Sequence, residues 1–281
     1  MEPRRGVQAL RVERVREGRA GTRRDVVAVE EPLEIRLEWA EGGEVRTEAV
    51  SVTMRTPGHD FELAAGFLFA EGVIGARDEV QDLRYCASEG PQHYNVVAVR
   101  LRDGVVFDPG GLRRNFTMNS SCGVCGKANL EALELRGCTP LRPEDGPHID
   151  RALVPLLPDR LRGEQGLFER TGGLHAAGLF GADGDPVCVR EDVGRHNAVD
   201  KVVGRLLLDG RLPADALALV VSGRTSFEIL QKALAARVPV VVAVGAPSSL
   251  AVDLARSFGI TLVGFARDGG YNVYAGGERL R

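Results

Sequence analysis

Apolar and polar positions along this chain follow two different rhythms. Between residues 26 and 56 they alternate. VVAVEEPLEIRLEW (26–39) and TEAVSVTMRT (47–56) place apolar side chains at about every second position, the mark of strands with one buried face. Pro57-Gly58 breaks the alternation, and Asp60 stands where it would cap a helix, FELAAGFLFAEG, ending at Gly72. YNVVAVRLR (94–102) is strand-like again. These elements predict a small α+β domain over residues 26–110, closing at the Gly/Pro/Arg stretch DPGGLRRN (108–115).

The second half changes rhythm. PVCVRED (186–192), ALALVVSG (216–223), VPVVVAVGA (238–246) and ITLVGFA (260–266) are short apolar runs. They alternate with helical patterns at NAVDKVVGRLLLDG (197–210), SFEILQKALAAR (226–237) and SSLAVDLARSFG (248–259). Strands without a polar face imply a sheet covered on both sides, so residues 131–281 are expected to form an α/β domain on a mostly parallel sheet. In such sheets ligands bind outside the carboxyl ends of the strands. Those ends carry REDVGRHN (190–197), SGRTS (222–226), GAPSS (245–249) and FARDGGYN (265–272), all rich in small and polar residues. SGRTS and GAPSS run straight into helix starts, which favour anions. A phosphorylated, nucleotide-like ligand is expected there.

Particular residues follow from that expectation. Arg224 offers a fork for phosphate beside the Thr225–Ser226 helix start, and Ser222 and Ser248 flank the same loops. In FARDGGYN, Arg267 precedes strong Asp268-Gly269-Gly270 turn chemistry, and Asn272 can bond a base edge. The polar run Glu191, Asp192, Arg195, His196, Asn197, Asp200 and Lys201 is expected to line the same edge. The plain account of Asp200 and Lys201 is a surface ion pair.

Bulk properties narrow the class. With 281 residues, 44% hydrophobic and 27% charged, the chain reads as one large or two ordinary soluble domains. A net charge of −3 gives no general attraction to nucleic acid or anionic membrane, and no apolar run is long enough to span a bilayer. Residues 1–25 scatter arginines without an apolar core. They read as a solvated basic arm with at most an edge strand near Leu10–Val15, not as a secretory signal. Five cysteines, odd and sparse, argue against a disulfide scaffold and for a reducing cytoplasm.

Two of those cysteines, Cys122 and Cys125 in NSSCGVCGKANLEALEL (119–135), form a CxxC in a loop expected over 111–130. Structural zinc needs four ligands, and Cys86, Cys138 and Cys188 are isolated in sequence, so no zinc is expected. A thioredoxin-type dithiol would follow an early strand. Chemistry of the thiols themselves remains, helped by Lys127 and the helix start after Gly126. TGGLHAAGLF (171–180) has the look of the helix start of zinc-dependent cytidine deaminases, with Ala177 where the catalytic glutamate would stand and no Pro-Cys pair downstream. Deaminase chemistry is therefore not expected.

Read together, SCGVCGKA, TGGLHAAGLF, REDVGRHNAVDKVVG, SGRTSFEILQKA, GAPSSLAVDLA and GFARDGGYNVY resemble the FdhD/NarQ family, the formate dehydrogenase accessory sulfurtransferases. The earlier VEEPLEIRL and HDFELAAGFLFAEGVI extend the likeness to about residue 26. The resemblance implies a cytidine-deaminase-like larger domain and a cytoplasmic homodimer. It implies that Cys122 and Cys125 carry sulfur as a persulfide from a cysteine desulfurase. The acceptor is the bis(molybdopterin guanine dinucleotide) cofactor of a molybdenum or tungsten formate dehydrogenase. GDP would mimic part of that acceptor. The binding residues then expected are Phe265, Ala266, Arg267, Asp268, Gly269, Gly270 and Asn272, with Ser222, Arg224, Thr225, Ser226, Ser248 and His196. Gly270 stands where the family often has a further basic residue. A chaperone that binds the cofactor without sulfur chemistry would use the same loops. Neither reading involves nucleic acid or a membrane.

Overall fold

The computed structural model describes residues 6–86, 94–105 and 138–281. The alternating segment forms β3 (Glu31–Glu41) and β4 (Glu44–Arg55), which join β5 (Val80–Tyr85) and β6 (Val96–Leu101) in a four-stranded sheet of order β4-β3-β6-β5. Leu33, Ile35 and Leu37 of β3 point into its core, as the period of two requires. Across that face lies α1 (Asp60–Ala70), in which residues on every side are buried, Glu62 and Gly66 as well as Leu63 and Leu68. A helix buried all round needs a second partner, and α4 (Arg195–Leu208) supplies it. The two helices approach so closely that Gly66 lies against the carbonyl of Asp200 and Gly204 against the carbonyl of Glu62.

Asp60 does not cap α1. The N-cap is His59, in left-handed backbone, and Asp60 is the first helical residue. Its carboxylate is taken by the buried Arg55 guanidinium (Nε–Oδ1 and Nη2–Oδ2, both 3.0 Å) and by the Tyr85 hydroxyl (3.1 Å). A charge-assisted fork from a buried arginine outcompetes a helix-capping amide.

The second sheet has six strands in the order β12-β11-β10-β9-β7-β8. They are β7 (His175–Phe180), β8 (Pro186–Asp192), β9 (Ala218–Val221), β10 (Val240–Ala243), β11 (Thr261–Arg267) and β12 (Gly270–Ala275). The sheet is mixed α/β, not mostly parallel. Only β9, β10 and β11 pair in parallel, while β7 runs antiparallel to both β8 and β9, and β12 antiparallel to β11. The antiparallel members arise from two tight hairpins, whose short connections allow no crossover. TGGLHAAGLF accordingly becomes strand β7, not a helix start.

Side chains of β9 and β10 alternate between two cores. Leu219, Val221 and Val241 meet α4, α5 (Phe227–Ala235) and α6 (Ser249–Phe258). Val220, Val240 and Val242 meet α2 (Leu157–Gly163) on the other face. This double burial is why those strands read as unbroken apolar runs.

Near the N-terminus, β1 (Val7–Arg16) and β2 (Arg19–Ala28) form an antiparallel ribbon of their own. It turns at Glu17-Gly18, both at positive φ (53° and 75°), as a two-residue hairpin demands. The basic segment expected to be a solvated arm is thus a regular, largely exposed hairpin.

Candidate functional site at the carboxyl edge of the larger sheet

Strands β8, β9, β10 and β11 run in one direction, so their carboxyl ends share one edge. The loops there are laced together through the backbone. Gly245 N–H donates to Gly223 O (3.0 Å), Ser248 N–H to Thr225 O (2.9 Å) and Phe265 N–H to Gly245 O (3.2 Å). Position 245 has no room for a Cβ, which would lie 3.0 Å from Arg224 N. SGRTS, GAPSS and FARDGG therefore form one surface, as the sequence suggested.

The two helix starts differ. Ser248 caps α6 in the ordinary way, its Oγ accepting the Ala251 amide at 3.3 Å. Ser226 occupies the same place before α5 but makes no capping bond. Its Oγ lies 3.2 Å from His196 Nε2 instead. Beside it Thr225 is fully buried, and its hydroxyl has no partner among the described residues. Arg224 is exposed, and its guanidinium forms no ion pair among them.

β11 ends irregularly. The register slips between Gly264 and Arg267, and Phe265 adopts a positive φ of 53°, rare for a bulky side chain. Such strain concentrates where a chain must present particular atoms. The bulge leaves Phe265 exposed and Ala266 buried. Arg267 then stands largely exposed at the rim of the cavity beneath, 3.9 Å from Asp268 and with its guanidinium 5.9 Å from the Phe265 ring centre. Asp268 and Gly269 turn the chain into β12, which carries Gly270 and the exposed Asn272.

Beneath this edge lies a cavity of about 530 Å³, in the range of small-molecule sites. Ser222, Val244 and Arg267 contribute strand ends. His175 and Val193 come from β7 and the turn after β8. The opposite wall is a part that sequence reasoning missed: Arg162 and Gln165, then Phe168 in the short helix α3 (Gly166–Thr171). The Arg162 guanidinium lies 3.7 Å from the Phe168 ring centre, a cationic and aromatic surface suited to a flat, charged ligand. Gln165 is buried, and its amide nitrogen has no partner among the described residues. A buried donor without an acceptor is costly, so a ligand or water acceptor would satisfy it. Nothing in LPDRLRGEQGLFERT marked these residues, because their role comes from lying opposite strand ends distant in the chain.

The REDVGRHN segment departs most from expectation. Asp192 and Lys201 are buried and paired with each other at 2.6 Å. Asp192 also accepts the Thr56 amide (3.2 Å), and Lys201 donates to Thr56 O (3.0 Å). Asn197 Nδ2 donates to Met54 O (2.8 Å). Asp200 pairs with Lys232 at 2.6 Å, not with Lys201 at the surface. Burial pushes its carboxyl up to about 6 against the pull of Lys232. Asp192, Asn197 and Lys201 thus tie α4 and the end of β8 to Met54 and Thr56 at the end of β4. The Asp200–Lys232 pair ties α4 to α5, and none of these groups lines the cavity. Glu191 acts elsewhere. Its carboxylate accepts the Leu167 (2.9 Å) and Phe168 (2.7 Å) amides and so positions α3. Of the run, Arg195 and His196 remain beside the edge. Burial first and the Arg195 charge second hold both His175 and His196 below the ordinary imidazole value, so both are neutral near pH 7.

Cys122, Cys125 and the expected helix 128–135 lie outside the described residues. Cys188 is a core residue whose thiol burial pushes up, as expected of a packed cysteine.

A sequence model described as the FdhD/NarQ family matches residues 28–281. The chain belongs to the FdhD/NarQ family. Its relatives include the Sulfur carrier protein FdhD of Streptomyces avermitilis, 52% identical over 273 residues, covering 96% of this chain and 94% of that protein. That of Mycolicibacterium paratuberculosis is 51% identical over 274 residues, covering 96% and 97%. A crystal structure of a proposed formate dehydrogenase accessory protein from Desulfotalea psychrophila aligns with a TM-score of 0.74 at 25% identity, over 98% of this chain and 99% of that one. The FdhD/NarQ likeness thus spans both sheets and the CxxC segment between them.

Proposed function

We propose that this protein is a sulfurtransferase that carries sulfur as a cysteine persulfide to the bis(molybdopterin guanine dinucleotide) cofactor, activating a formate dehydrogenase. The observation that carries the reading is near-full-length identity of about half to proteins named sulfur carriers, in a chain that keeps a CxxC. A thiolate of Cys122 or Cys125 attacks the sulfane sulfur of a desulfurase persulfide, and the desulfurase thiolate leaves. The cavity supports the acceptor half of the reaction. Arg267 and Arg162 can face phosphates, Phe168 can stack against a base, and the free Gln165 amide can donate to a purine acceptor.

Within this reading the larger domain is cytidine-deaminase-like without that chemistry: the His175–Ala177 stretch compared with the deaminase His-x-Glu lies in strand β7, and Ala177 is buried in the apolar core. The protein works in the cytoplasm as a homodimer, with a cysteine desulfurase as donor. Among the described residues no helix is long and apolar enough to cross a membrane.

The test is intact-mass spectrometry after incubation with desulfurase and cysteine. One added sulfur, about 32 Da, is expected on the parent and not on a Cys122→Ala, Cys125→Ala double variant. No gain on the parent, or an equal gain on the variant, refutes sulfur transfer and leaves a cofactor-binding chaperone.

A further inference from the structure

The β1–β2 ribbon, nearly all of which precedes the family-matched segment, contributes no residue to the lining of the cavity. Its geometry is unusual for an element meant to stand alone. A single two-stranded hairpin is marginal in water because it has no core. This one also opposes like charges directly, Arg11 to Arg24 and Arg16 to Arg19. Arg11, Arg14, Arg16, Arg19 and Arg24 form no ion pair among the described residues; Asp25 is paired with Arg23 at 3.1 Å and feels the Arg14 charge besides. Leu10, Val15 and Val27 stay 38%, 63% and 37% exposed. The foot alone is anchored, where Gly6 abuts Leu167 and its carbonyl accepts the Val29 amide (2.9 Å).

The register also sorts the charges. Residues 14, 16, 19 and 23 fall on one face, so Arg14, Arg16, Arg19 and Arg23 point together near the tip. Six arginines against three acidic residues leave residues 7–28 at +3. Within a total of −3, the rest of the chain carries −6.

We propose that the ribbon is an arm that grips a second copy of this chain, laying its arginine face on that copy's acidic body. Two bodies of −6 repel each other, and an arm of +3 from each supplies the opposite charge at the contact. Exchange of identical arms is self-complementary and closes at two copies, the usual symmetric solution. Leu10 and Val27, on the same face as those arginines, would be covered in the same contact. A nucleic acid fits less well: the body repels a long polyanion, and residues 7–28 contain no aromatic side chain for stacking. The proposal deepens the homodimer of the proposed function and rests on that part alone, so its failure leaves the persulfide result untouched.

Sedimentation velocity of the full chain at low and high salt provides the test, beside a variant with Arg14→Glu, Arg16→Glu and Arg19→Glu. The parent should be a dimer whose dissociation constant rises about tenfold or more between about 50 and about 500 mM salt. The variant, folded by circular dichroism, should be monomeric at the same concentration. Because these side chains are exposed, folding should survive. Independently, a photo-crosslinker replacing Leu10, which shares the arginine face, should join isotope-labelled to unlabelled chains at acidic segments of the body. A monomeric parent, a variant that dimerises as well as the parent, or crosslinks confined to one copy would overturn the proposal. So would a single-stranded RNA of about 20 nucleotides that binds the parent, fails to bind the variant and leaves the parent monomeric.

Discussion

Gly204→Ala should separate two helices that nothing else in the structure allows to separate. A Cβ on Gly204 would lie 1.8 Å from the Glu62 carbonyl oxygen, where ordinary contact begins at 3.4 Å. The obstacle is helical backbone, not a side chain that can swing aside, so α1 and α4 must part by roughly 1.5 Å. That loosens Leu63, Leu68 and Leu207, all at most 1% exposed. Overpacking of this kind costs about 1–3 kcal/mol, occasionally more. Alanine's better helix propensity returns about 1 kcal/mol. A net loss of about 2 kcal/mol follows, from the upper end of the first range. Urea denaturation followed by far-UV circular dichroism would show a lower midpoint at unchanged slope. Gly66→Ala, whose Cβ would lie 1.9 Å from the Asp200 carbonyl oxygen, should cost a similar amount. The double variant should lose less than the sum, because helices already parted admit the second methyl freely. Gly163→Ala in α2 is the control, since a Cβ there meets nothing within 4 Å. A Gly204→Ala protein as stable as the parent, or one that behaves like the control, refutes the reasoning.

Other expectations can be tested with single variants. Lys201→Met strands the Asp192 carboxylate in the core and should cost about 3–5 kcal/mol by the same denaturation assay, while a surface pair would cost under about 1. Glu62 is held down at about 2 because the Arg190 fork and His59 outweigh the upward push of burial. A depressed carboxyl contributes stability that is present above its unfolded value near 4.5 and lost as pH falls toward 2. Discounted for solvent around the pair, that is about 1–2 kcal/mol. Glu62→Gln should therefore be less stable than the parent at pH 6 and lose that disadvantage by about pH 2–3 in acid titrations. GDP titration by calorimetry should find affinity reduced about tenfold or more in Arg267→Ala and in Gln165→Leu, and unchanged in Gly163→Ala, whose Cβ meets nothing within 4 Å and lies outside the cavity lining.

Local pattern carried the elements of this protein, because periodicity and turn chemistry act over a few residues. β8 occupies the predicted 186–192, and the turn at Asp268-Gly269 is where Asp-Gly-Gly announced it. The shared edge of SGRTS, GAPSS and FARDGG was also legible, since helices between strands compel those strands to run one way. Strand pairing was not, because a hairpin and a crossover leave similar apolar runs, and only tertiary contact set β7 between β8 and β9. Nor could composition separate a polar residue that binds from one that braces. Asp192, Asn197, Asp200 and Lys201 look like an exposed polar run. They are buried because Met54 and Thr56, at the end of β4, and helix α1 close over them. Gln165 and Phe168 carried no signal for the opposite reason. Their chemistry appears only when α3, held by Glu191, is brought across from strand ends it meets in space and not in sequence.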